Sequence, residues 1–517
     1  MVFTHKSPAA PRHSPCHDGA GMSDVLSSQL SLPDAFEACY LEYNRILPLE
    51  TTDTHVRVAV SGEPDPDVLD ELTREFGRPV ELVSVSEEDL VDGIRRAFAA
   101  AESIVEVVHD LSVGDTISGG DDRELADARD LASQPPVVKY VNLLIKEAHD
   151  ARASDIHLES TSHGLRARFR IDGVLADAPA PPLQAQAAIV SRVKLLAELD
   201  IAERRAPQDG SFRIRLESRE LDIRVSTVPT LYGESVVLRL LDRGGQPVGL
   251  DELGMAPATL EQFRALVARP TGIVIAAGPT GSGKTTTLYS ALALRDTTAE
   301  KVITVEDPVE YHLGGVTQIP VNRKAAMTFA SALRSVLRQD PDVMMVGEMR
   351  DPETAEVAVQ AAMTGHLVFS TLHTNDAPSA VTRLLDLQVA PYQIAATING
   401  VLAQRLVRRI CPHCRERYRP DPQVVAFLSS EPKGRPQLVR GRGCDACRGS
   451  GYLGRIGIFE LLVVSENVNR AISAREPLAK LRELAENEGM QLMRHDGWVK
   501  VQAELTTVEE VLRVTAH

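Results

Sequence analysis

The chain has 517 residues, of which 43% are hydrophobic and 25% charged, so its composition is that of an ordinary folded protein with roughly two to four domains. Its net charge of −16 at neutral pH disfavours a nucleic-acid partner, because binding along a phosphate backbone requires clustered Lys and Arg. No apolar run approaches the ~20 residues that are needed to cross a bilayer.

The N-terminal part of the chain contains three regions of different composition. Residues 1–28 combine Pro, His and charge where a signal peptide would need an apolar segment, so they predict a disordered tail without an export signal, with Met22 as an alternative start. Residues 29–105 alternate helix-like and strand-like patterns, which predicts a small α+β domain. Residues 106–135 are rich in Gly, Asp and Ser, which is typical of a flexible linker.

A second domain is predicted over residues 136–246. It opens with the amphipathic helix pattern VVKYVNLLIKEAHDARA and continues with short strands such as LRARFRIDG, SFRIRLES and LDIRVSTV. Apolar and polar residues alternate along these strands, so we expect a sheet with one buried face and one exposed face that is rich in Arg.

From residue 247 to residue 517 the pattern changes to short apolar strands separated by helices. The strands GIVIAA, VITVED, VMMVGE and LVFSTL are continuously apolar, which predicts a parallel sheet covered by helices on both faces. The predicted fold class is therefore α/β for this domain, preceded by two smaller α+β domains. No repeat at a fixed period is present.

The first of these apolar strands is followed by a phosphate-binding pattern. GPTGSGKT matches G-x-x-x-x-G-K-[ST] between a strand and a helix. In that context backbone N–H groups surround an anion, Lys284 neutralises the β- and γ-phosphates of ATP, and the Thr285 hydroxyl holds Mg²⁺. A glycine-rich turn without a ligand is the alternative, and the flanking strand and helix argue against it. The predicted nucleotide-binding residues are Gly278, Pro279, Thr280, Gly281, Ser282, Gly283, Lys284, Thr285 and Thr286.

Two acidic motifs follow other strands of the same sheet. VMMVGE ends at Glu348, where a carboxylate could orient water and Mg²⁺ beside a triphosphate. VITVEDPVEY carries Glu306, Asp307 and Glu310, whose natural partners beside a triphosphate are Mg²⁺ and water. The alternative for both motifs is a set of solvated carboxylates at strand ends.

Two histidines flank the strand LVFSTL. His366 precedes it and His373 follows it, and either could sense the γ-phosphate. The alternative is that each is a structural residue with its hydrogen bonds satisfied inside the protein.

Four of the six cysteines form two C-x-x-C pairs, CPHC and CDAC, within residues 408–452. Cys411, Cys414, Cys444 and Cys447 have the spacing of a tetrathiolate zinc site, which would order its loop without taking part in catalysis. Between Arg405 and Arg455 there are twelve Lys or Arg against four Asp or Glu. This excess could face an acidic partner or anionic lipid, with a plain solvated surface as the alternative.

Taken together, these motifs resemble the secretion ATPase superfamily of bacterial type II secretion and type IV pili. The resemblance is carried by GPTGSGKTTTLYSAL, by ITVEDPVEY, by the segment from ALRSVLRQD to STLHTNDA and by the two C-x-x-C pairs. It extends from about residue 136 to the C-terminus. ITVEDPVEY is similar to the Asp box of the family, and TGHLVFSTLHT is similar to its His box.

The resemblance implies a RecA-like ATPase domain preceded by a PAS-like domain, with six subunits in a ring and nucleotide between the two domains. It implies that Glu348 is the catalytic carboxylate of the Walker B motif, with Glu306 and Glu310 assisting the metal and water. It also implies four functional arginines: Arg224, Arg239, Arg334 and Arg338. Arg334 and Arg338 are four apart on a predicted helix, so they could converge on one anion; surface ion pairing is the alternative.

The resemblance further implies a role and a set of partners. Retraction ATPases of pili generally lack the zinc module, so it favours a secretion ATPase or a pilus-extension ATPase. The compact domain at 29–105 favours type II secretion, with type IV pilus assembly as the alternative. The implied partners are five further copies of the chain, the cytoplasmic domain of an inner-membrane platform protein and, indirectly, pilin-like subunits. The implied location is the cytoplasmic face of the inner membrane.

Overall fold

The computed structural model describes residues 41, 44–51, 55–62, 64–87, 89–91, 108, 129–216, 219–242, 248–322, 325–419 and 437–515. The chain divides into two compact units, one taking residues up to 120 together with 134–144, and the other taking 121–133 and 145–517. The predicted tail at 1–28 and most of the predicted linker at 106–135 lie outside the described residues. At the end of that linker residues 129–132 are helical and Ala132 is buried, so this part is not the flexible chain that its composition predicted.

The described part of the first unit contains a small three-stranded sheet. Its elements are β1 (Ile46–Thr51), β2 (Val56–Val60), α1 (Pro66–Phe76) and β3 (Val80–Ser84). β1 is antiparallel to β2, and β2 is parallel to β3, which requires the crossover that α1 provides. The small α+β fold predicted for this region is confirmed in the residues described.

The next sheet belongs to the second unit and is antiparallel throughout. In chain order its strands are β4 (Ala153–Thr161), β5 (Gly164–Ile171), β6 (Val174–Asp177), β7 (Gln208–Leu216), β8 (Arg219–Thr230) and β9 (Gly233–Asp242), in the spatial order β6-β5-β4-β9-β8-β7. The helix α2 (Pro135–Asp150) precedes it in the chain, and α3 (Gln186–Leu196) lies between β6 and β7. Burial alternates along the strands, as the sequence predicted, because one face of the sheet is packed and the other is wet.

The largest sheet is the predicted parallel one. Its strands are β10 (Gly272–Ala277), β11 (Val302–Glu306), β12 (Thr317–Pro320), β13 (Val343–Val346), β14 (Leu367–Leu372), β15 (Ile398–Ile410) and β18 (Tyr452–Val463), in the order β12-β11-β13-β14-β10-β15-β18. Only β18 runs antiparallel to its neighbour, β15, among these described strands. The separate hairpin of β16 (Arg415–Tyr418) and β17 (Leu438–Gly441) carries the cysteine module.

Helices cover both faces of the parallel sheet. Ile273 and Ile275 of β10 pack into one apolar core, while Val274 and Ala276 pack into the core on the opposite face. This explains why the strand is apolar at every position. The helices of this region are α4 (Pro257–Val267), α5 (Lys284–Leu292), α6 (Phe329–Val336), α7 (Pro352–Met363), α8 (Ser379–Asp386), α9 (Pro391–Thr397), α10 (Glu466–Ser473), α11 (Leu478–Asn487), α12 (Met493–Gln502) and α13 (Val508–Thr515).

No helix in the described ranges combines the length and the apolar character that a membrane span requires.

Candidate active site

Several of the predicted functional side chains lie together where the parallel strands end. β10 leads into the phosphate-binding loop, β13 into Glu348 and β14 into His373, while β11 ends on Glu306. Because β11, β13, β14 and β10 are consecutive neighbours and all parallel, their carboxyl ends meet at one edge of the sheet. Open α/β sheets bind their ligands at this edge.

A cavity of about 1000 Å³ opens at this edge. One wall consists of loop residues 279–286, with Glu310, Glu348 and His373. Strands of the antiparallel sheet form the facing wall, which includes Arg239. The cavity is therefore lined by both sheets of the second unit.

The loop from Gly278 to Gly283 adopts a backbone that favours glycine. Gly278, Gly281 and Gly283 have φ values of +150°, +77° and +87°. A Cβ on Gly278 would lie 2.5 Å from the carbonyl oxygen of Gln404, so the loop packs directly against β15. Gly283 precedes α5 and no described side chain caps this helix, which leaves its first N–H groups for an anion.

Lys284 is buried at the start of α5, and its ammonium group is held by the loop itself. Its Nζ donates to the carbonyl oxygens of Gly278 at 2.8 Å and Pro279 at 2.9 Å. Burial lowers the pKa of Lys284 to about 8, Glu348 acts to raise it and Arg405 lowers it further. A bound phosphate would supply the negative charge that favours the ammonium form.

Glu348 lies at the end of β13, where two side chains contact its carboxylate. Arg350 places its Nε 2.5 Å from Oε2, and Nε2 of His373 lies 3.3 Å from the same oxygen. Glu348 is only 9% exposed, although it lines the cavity. The structure thus brings Glu348, His373 and Lys284 together, as the sequence predicted for a phosphoryl-transfer site.

Glu306 and Glu310 occupy different positions, although the sequence grouped them. The Glu306 carboxylate is 2% exposed and accepts hydrogen bonds from the hydroxyls of Tyr289 and Thr304 and from the Gln318 amide. The hydrogen bond from Tyr289 links α5 to β11, so Glu306 stabilises the position of the helix that follows the phosphate-binding loop. Burial raises the pKa of Glu310, while the charges of Arg224 and Arg239 lower it.

One of the four predicted arginines, Arg239 on β9, lines the cavity. Arg224 on β8 is its cross-strand partner, and the charges of both act on Glu310. The Nε of Arg239 donates to Asp155 at 2.9 Å, which holds the guanidinium at the cavity wall.

The structure does not bring Arg334 and Arg338 to this cavity. α6 ends at Val336, so Arg338 lies beyond the helix and donates to the carbonyl oxygen of Arg334 at 2.8 Å. Arg334 pairs with Glu353 at 2.6 Å. Within this chain the two guanidinium groups therefore do not converge on one anion as their spacing predicted, because the helix is too short.

His366 lies at the opposite end of β14 from His373. Its Nδ1 is 2.9 Å from the carbonyl oxygen of Ala361 and 3.2 Å from the Thr364 hydroxyl, so it closes the end of α7. A six-residue strand is roughly 20 Å long, which removes His366 from the phosphate-binding loop. His366 is therefore a structural residue with its hydrogen bonds satisfied inside the protein, whereas His373 lies in the site.

The four predicted metal ligands form one cluster. The Sγ atoms of Cys411, Cys414, Cys444 and Cys447 all lie within 4.8 Å of one another, and none is in a disulfide. Burial raises the pKa of the Cys447 thiol, but hydrogen bonds from the N–H groups of Cys444 and Gly451 outweigh it and bring the pKa to about 6. Four sulfurs at this separation, one of them stabilised as a thiolate, fit a tetrahedral Zn²⁺ ion.

Sequence reasoning missed three residues that shape the site. Tyr289 holds Glu306, Arg350 holds Glu348, and Arg405 is buried beside the loop. Tyr289 and Arg350 lie within motifs that had been recognised, and only contacts across the fold show what they do. Arg405 had a visible signal, because it interrupts the apolar strand sequence GVLAQRLV.

A phosphate-binding loop at the edge of a parallel sheet, with a buried carboxylate and facing arginines, defines a P-loop ATPase. Residues 130–513 match the model of the family described as Type II/IV secretion system protein, and residues 24–104 match that of the MshEN domain. The chain belongs to the Type II/IV secretion system protein family, and it is an ATPase. The predicted family, fold class and ATP hydrolysis are confirmed.

Known relatives are similar to this chain over 73% to 97% of its length. The type II secretion system protein E of Xanthomonas campestris pv. campestris is 43% identical over 97% of this chain and 88% of its own length. The type IV pilus assembly ATPase PilB of Thermus thermophilus is 46% identical over 73% of this chain and 43% of its own length. The solved structure of the Legionella pneumophila ATPase DotB matches with a TM-score of 0.54 at 21% identity, over 73% of this chain and 95% of DotB, which shows a shared fold.

Proposed function

We propose that this protein is the motor ATPase of a type II secretion system. It forms a hexamer and couples the hydrolysis of MgATP to the assembly of pilin-like subunits at the cytoplasmic face of the inner membrane. The observation that carries the proposal is the 43% identity to a type II secretion system protein E over 97% of the chain, N-terminal region included. Type IV pilus assembly is the second candidate, because the pilus assembly ATPase PilB is 46% identical over 73% of this chain.

The chemistry follows from the residues at the sheet edge. The loop N–H groups and Lys284 would bind the phosphates, and the Thr285 hydroxyl would hold Mg²⁺, which would supply positive charge against the transferred group. Glu348, oriented by Arg350 and His373, positions the attacking water. Water forms a bond to the γ-phosphorus, the bond to the β–γ bridging oxygen breaks, and ADP leaves with that oxygen. The γ-phosphoryl group becomes inorganic phosphate, and the proton lost by the water passes to solvent. Glu310 assists the water network at the cavity wall.

Arginines of the antiparallel sheet couple this chemistry to movement. Arg239 lines the cavity, and Arg224 is its cross-strand partner and acts on the same Glu310, so their attraction to a triphosphate weakens when the γ-phosphate leaves. Arg334 and Arg338 have exposed surroundings outside the cavity. That exposure supports a role for them at the site of an adjacent subunit in the hexamer.

The four thiolates of the cysteine cluster would hold a structural Zn²⁺ ion. With four protein ligands such an ion would have no position for water, so it would order the hairpin of β16 and β17 and take no part in hydrolysis.

Residues 29–105 dock on the cytoplasmic domain of an inner-membrane platform protein. The test is crosslinking from this region in living cells, followed by identification of the membrane protein that is captured. A component of a secretion platform supports the type II role, whereas a pilus component establishes the second candidate. A variant of Glu348 that keeps docking but loses export separates partner binding from motor action.

A further inference from the structure

Arg405 is a buried arginine at the phosphate-binding edge of the parallel sheet, and the proposed mechanism gives it no role. It lies on β15, two residues after Ala403, which pairs with Ala277 at the end of β10. The residue is 5% exposed and lines the same cavity as Lys284 and Glu348. A buried guanidinium group is costly unless acceptors or an anion satisfy its donors.

The protein satisfies only part of this guanidinium group. Nη2 donates to Oδ1 of Asn375 at 3.0 Å, whereas Nη1 is buried and has no hydrogen-bond partner in the described part of the chain. Asp376 acts on Arg405 through space, but its carboxylate is paired with Arg482 at 2.7 Å. One edge of the guanidinium is thus fixed by Asn375, and a donor is left over within the cavity wall.

Arg405 lies close to the loop in which the phosphates of a nucleotide would bind. The preceding residue, Gln404, supports the loop from below, since its carbonyl oxygen lies against Gly278 and its side chain accepts a hydrogen bond from Thr287 at 2.7 Å. Arg405 is close enough to Lys284 for its charge to act on the ammonium group. A second cation near Lys284 is unfavourable by itself and becomes favourable when an anion lies between the two.

The position of Asn375, which fixes Arg405, indicates which phosphate Arg405 would contact. Asn375 lies two residues after His373, whose ring contacts Glu348. The segment that fixes Arg405 is therefore the one that meets the water-positioning carboxylate. The β-phosphate of a bound nucleotide, in contrast, would be surrounded by the N–H groups of the loop and of α5.

We propose that Arg405 is a catalytic residue whose Nη1 donates to the terminal phosphate of bound ATP, and that Asn375 positions it. This inference rests on the ATPase site described under the proposed function and assigns it a further cation from the same chain. The bond strengthens as negative charge accumulates on the transferred group, so it acts both in binding ATP and in its hydrolysis.

The test compares Arg405→Gln with Arg409→Gln in the full chain. Arg409 lies on the same strand and is exposed, so it is a matched control. Affinities for ADP and for a non-hydrolysable ATP analogue are measured with Mg²⁺, together with kcat and KM for ATP. Arg405→Gln should weaken the analogue roughly 10- to 100-fold, the range of a charge-assisted hydrogen bond, and lower kcat. It should leave ADP affinity within about twofold, and Arg409→Gln should change neither affinity by more than about twofold.

An equal loss of ADP and analogue, or an unchanged analogue affinity, overturns the proposal. Arg405→Lys keeps the positive charge and should retain part of the preference for the analogue. If circular dichroism shows that Arg405→Gln is unfolded, the lysine variant decides: its ratio of analogue to ADP affinity must fall, and an unchanged ratio contradicts the assignment. Failure of the wild-type chain to bind either nucleotide refutes the ATPase site itself, and with it both proposals.

Discussion

The two sheets of the second unit carry their functional charges in different ways. At the edge of the parallel sheet, Lys284, Glu306 and Glu348 are 8%, 2% and 9% exposed, and each is fixed by named partners. On the antiparallel sheet, the side chain of Arg239 is 56% exposed and is held by a single acid, Asp155. In the proposed mechanism the parallel sheet fixes the position of the phosphates, and the arginines of the antiparallel sheet can move when the phosphates move.

The difference arises from the environment of each sheet. A parallel sheet covered on both faces leaves polar side chains only at its ends, where neighbouring strands bring them together. An antiparallel sheet with one wet face can carry arginines along its strands at little cost, because water solvates them when no anion is present. Variants on the two sheets should therefore differ in the size and the kind of their effects.

The largest effect is expected for Glu348→Gln. Glutamine keeps the size of the side chain but cannot orient water as a carboxylate does, so kcat should fall by roughly 10²- to 10⁴-fold while nucleotide binding persists. Steady-state ATPase assays and a nucleotide titration measure the two properties. Glu356→Gln, an exposed acid on α7, is the control. Near-normal turnover in Glu348→Gln would refute the role of this carboxylate.

A smaller effect is expected for Arg239→Gln on the antiparallel sheet. Loss of one guanidinium that faces the γ-phosphate should lower kcat roughly 10- to 100-fold and leave ADP affinity unchanged. Arg166→Gln removes an exposed arginine from the same sheet, one that pairs with Asp177, and should have no such effect. If both variants behave alike, the charge of the sheet acts diffusely and Arg239 has no individual role.

The third prediction concerns pH and applies to Lys284 of the parallel sheet. Its pKa of about 8 means that the ammonium form dominates at pH 7 and is largely lost by pH 9. Bound phosphate favours the charged form, so binding takes up a proton and ATP affinity should fall above pH 8, by at most about tenfold per pH unit. The arginine in Lys284→Arg keeps its charge throughout this pH range, so the affinity of this variant for ATP should not change with pH. The same slope in both proteins would contradict the assignment.

The smallest effect separates the two ends of β14. His373→Ala removes a contact to Glu348 and should lower kcat several-fold, whereas His366→Ala should leave kcat within about twofold. Loss of the His366 hydrogen bonds at the end of α7 should instead lower the free energy of unfolding by about 1 kcal/mol. Chemical denaturation and ATPase assays on both variants measure this difference. Equal losses of kcat would place both histidines in the reaction.

Much of the site could be predicted because its groups lie next to one another in the chain. Gly278, Gly283 and Lys284 act through local backbone geometry, and the two cysteines of each C-x-x-C lie close together because only two residues separate them. Arg334 and Arg338 show the limit of such reasoning. Their spacing was correct for a shared helical face, but the helix ends before the second one.

The sequence by itself determined the apolar strands of a parallel sheet, the phosphate-binding loop and each C-x-x-C pair, because each depends on residues that are neighbours in the chain. The meeting of the two cysteine pairs, which are 33 positions apart, depends on the fold. Only the tertiary structure decided that Glu306 is enclosed by Tyr289, that His366 closes a helix and that Arg405 reaches the cavity. Strand order sets which strand ends lie side by side, and long side chains take their partners from whatever element packs against them. Both are properties of the folded chain, and no local pattern encodes them.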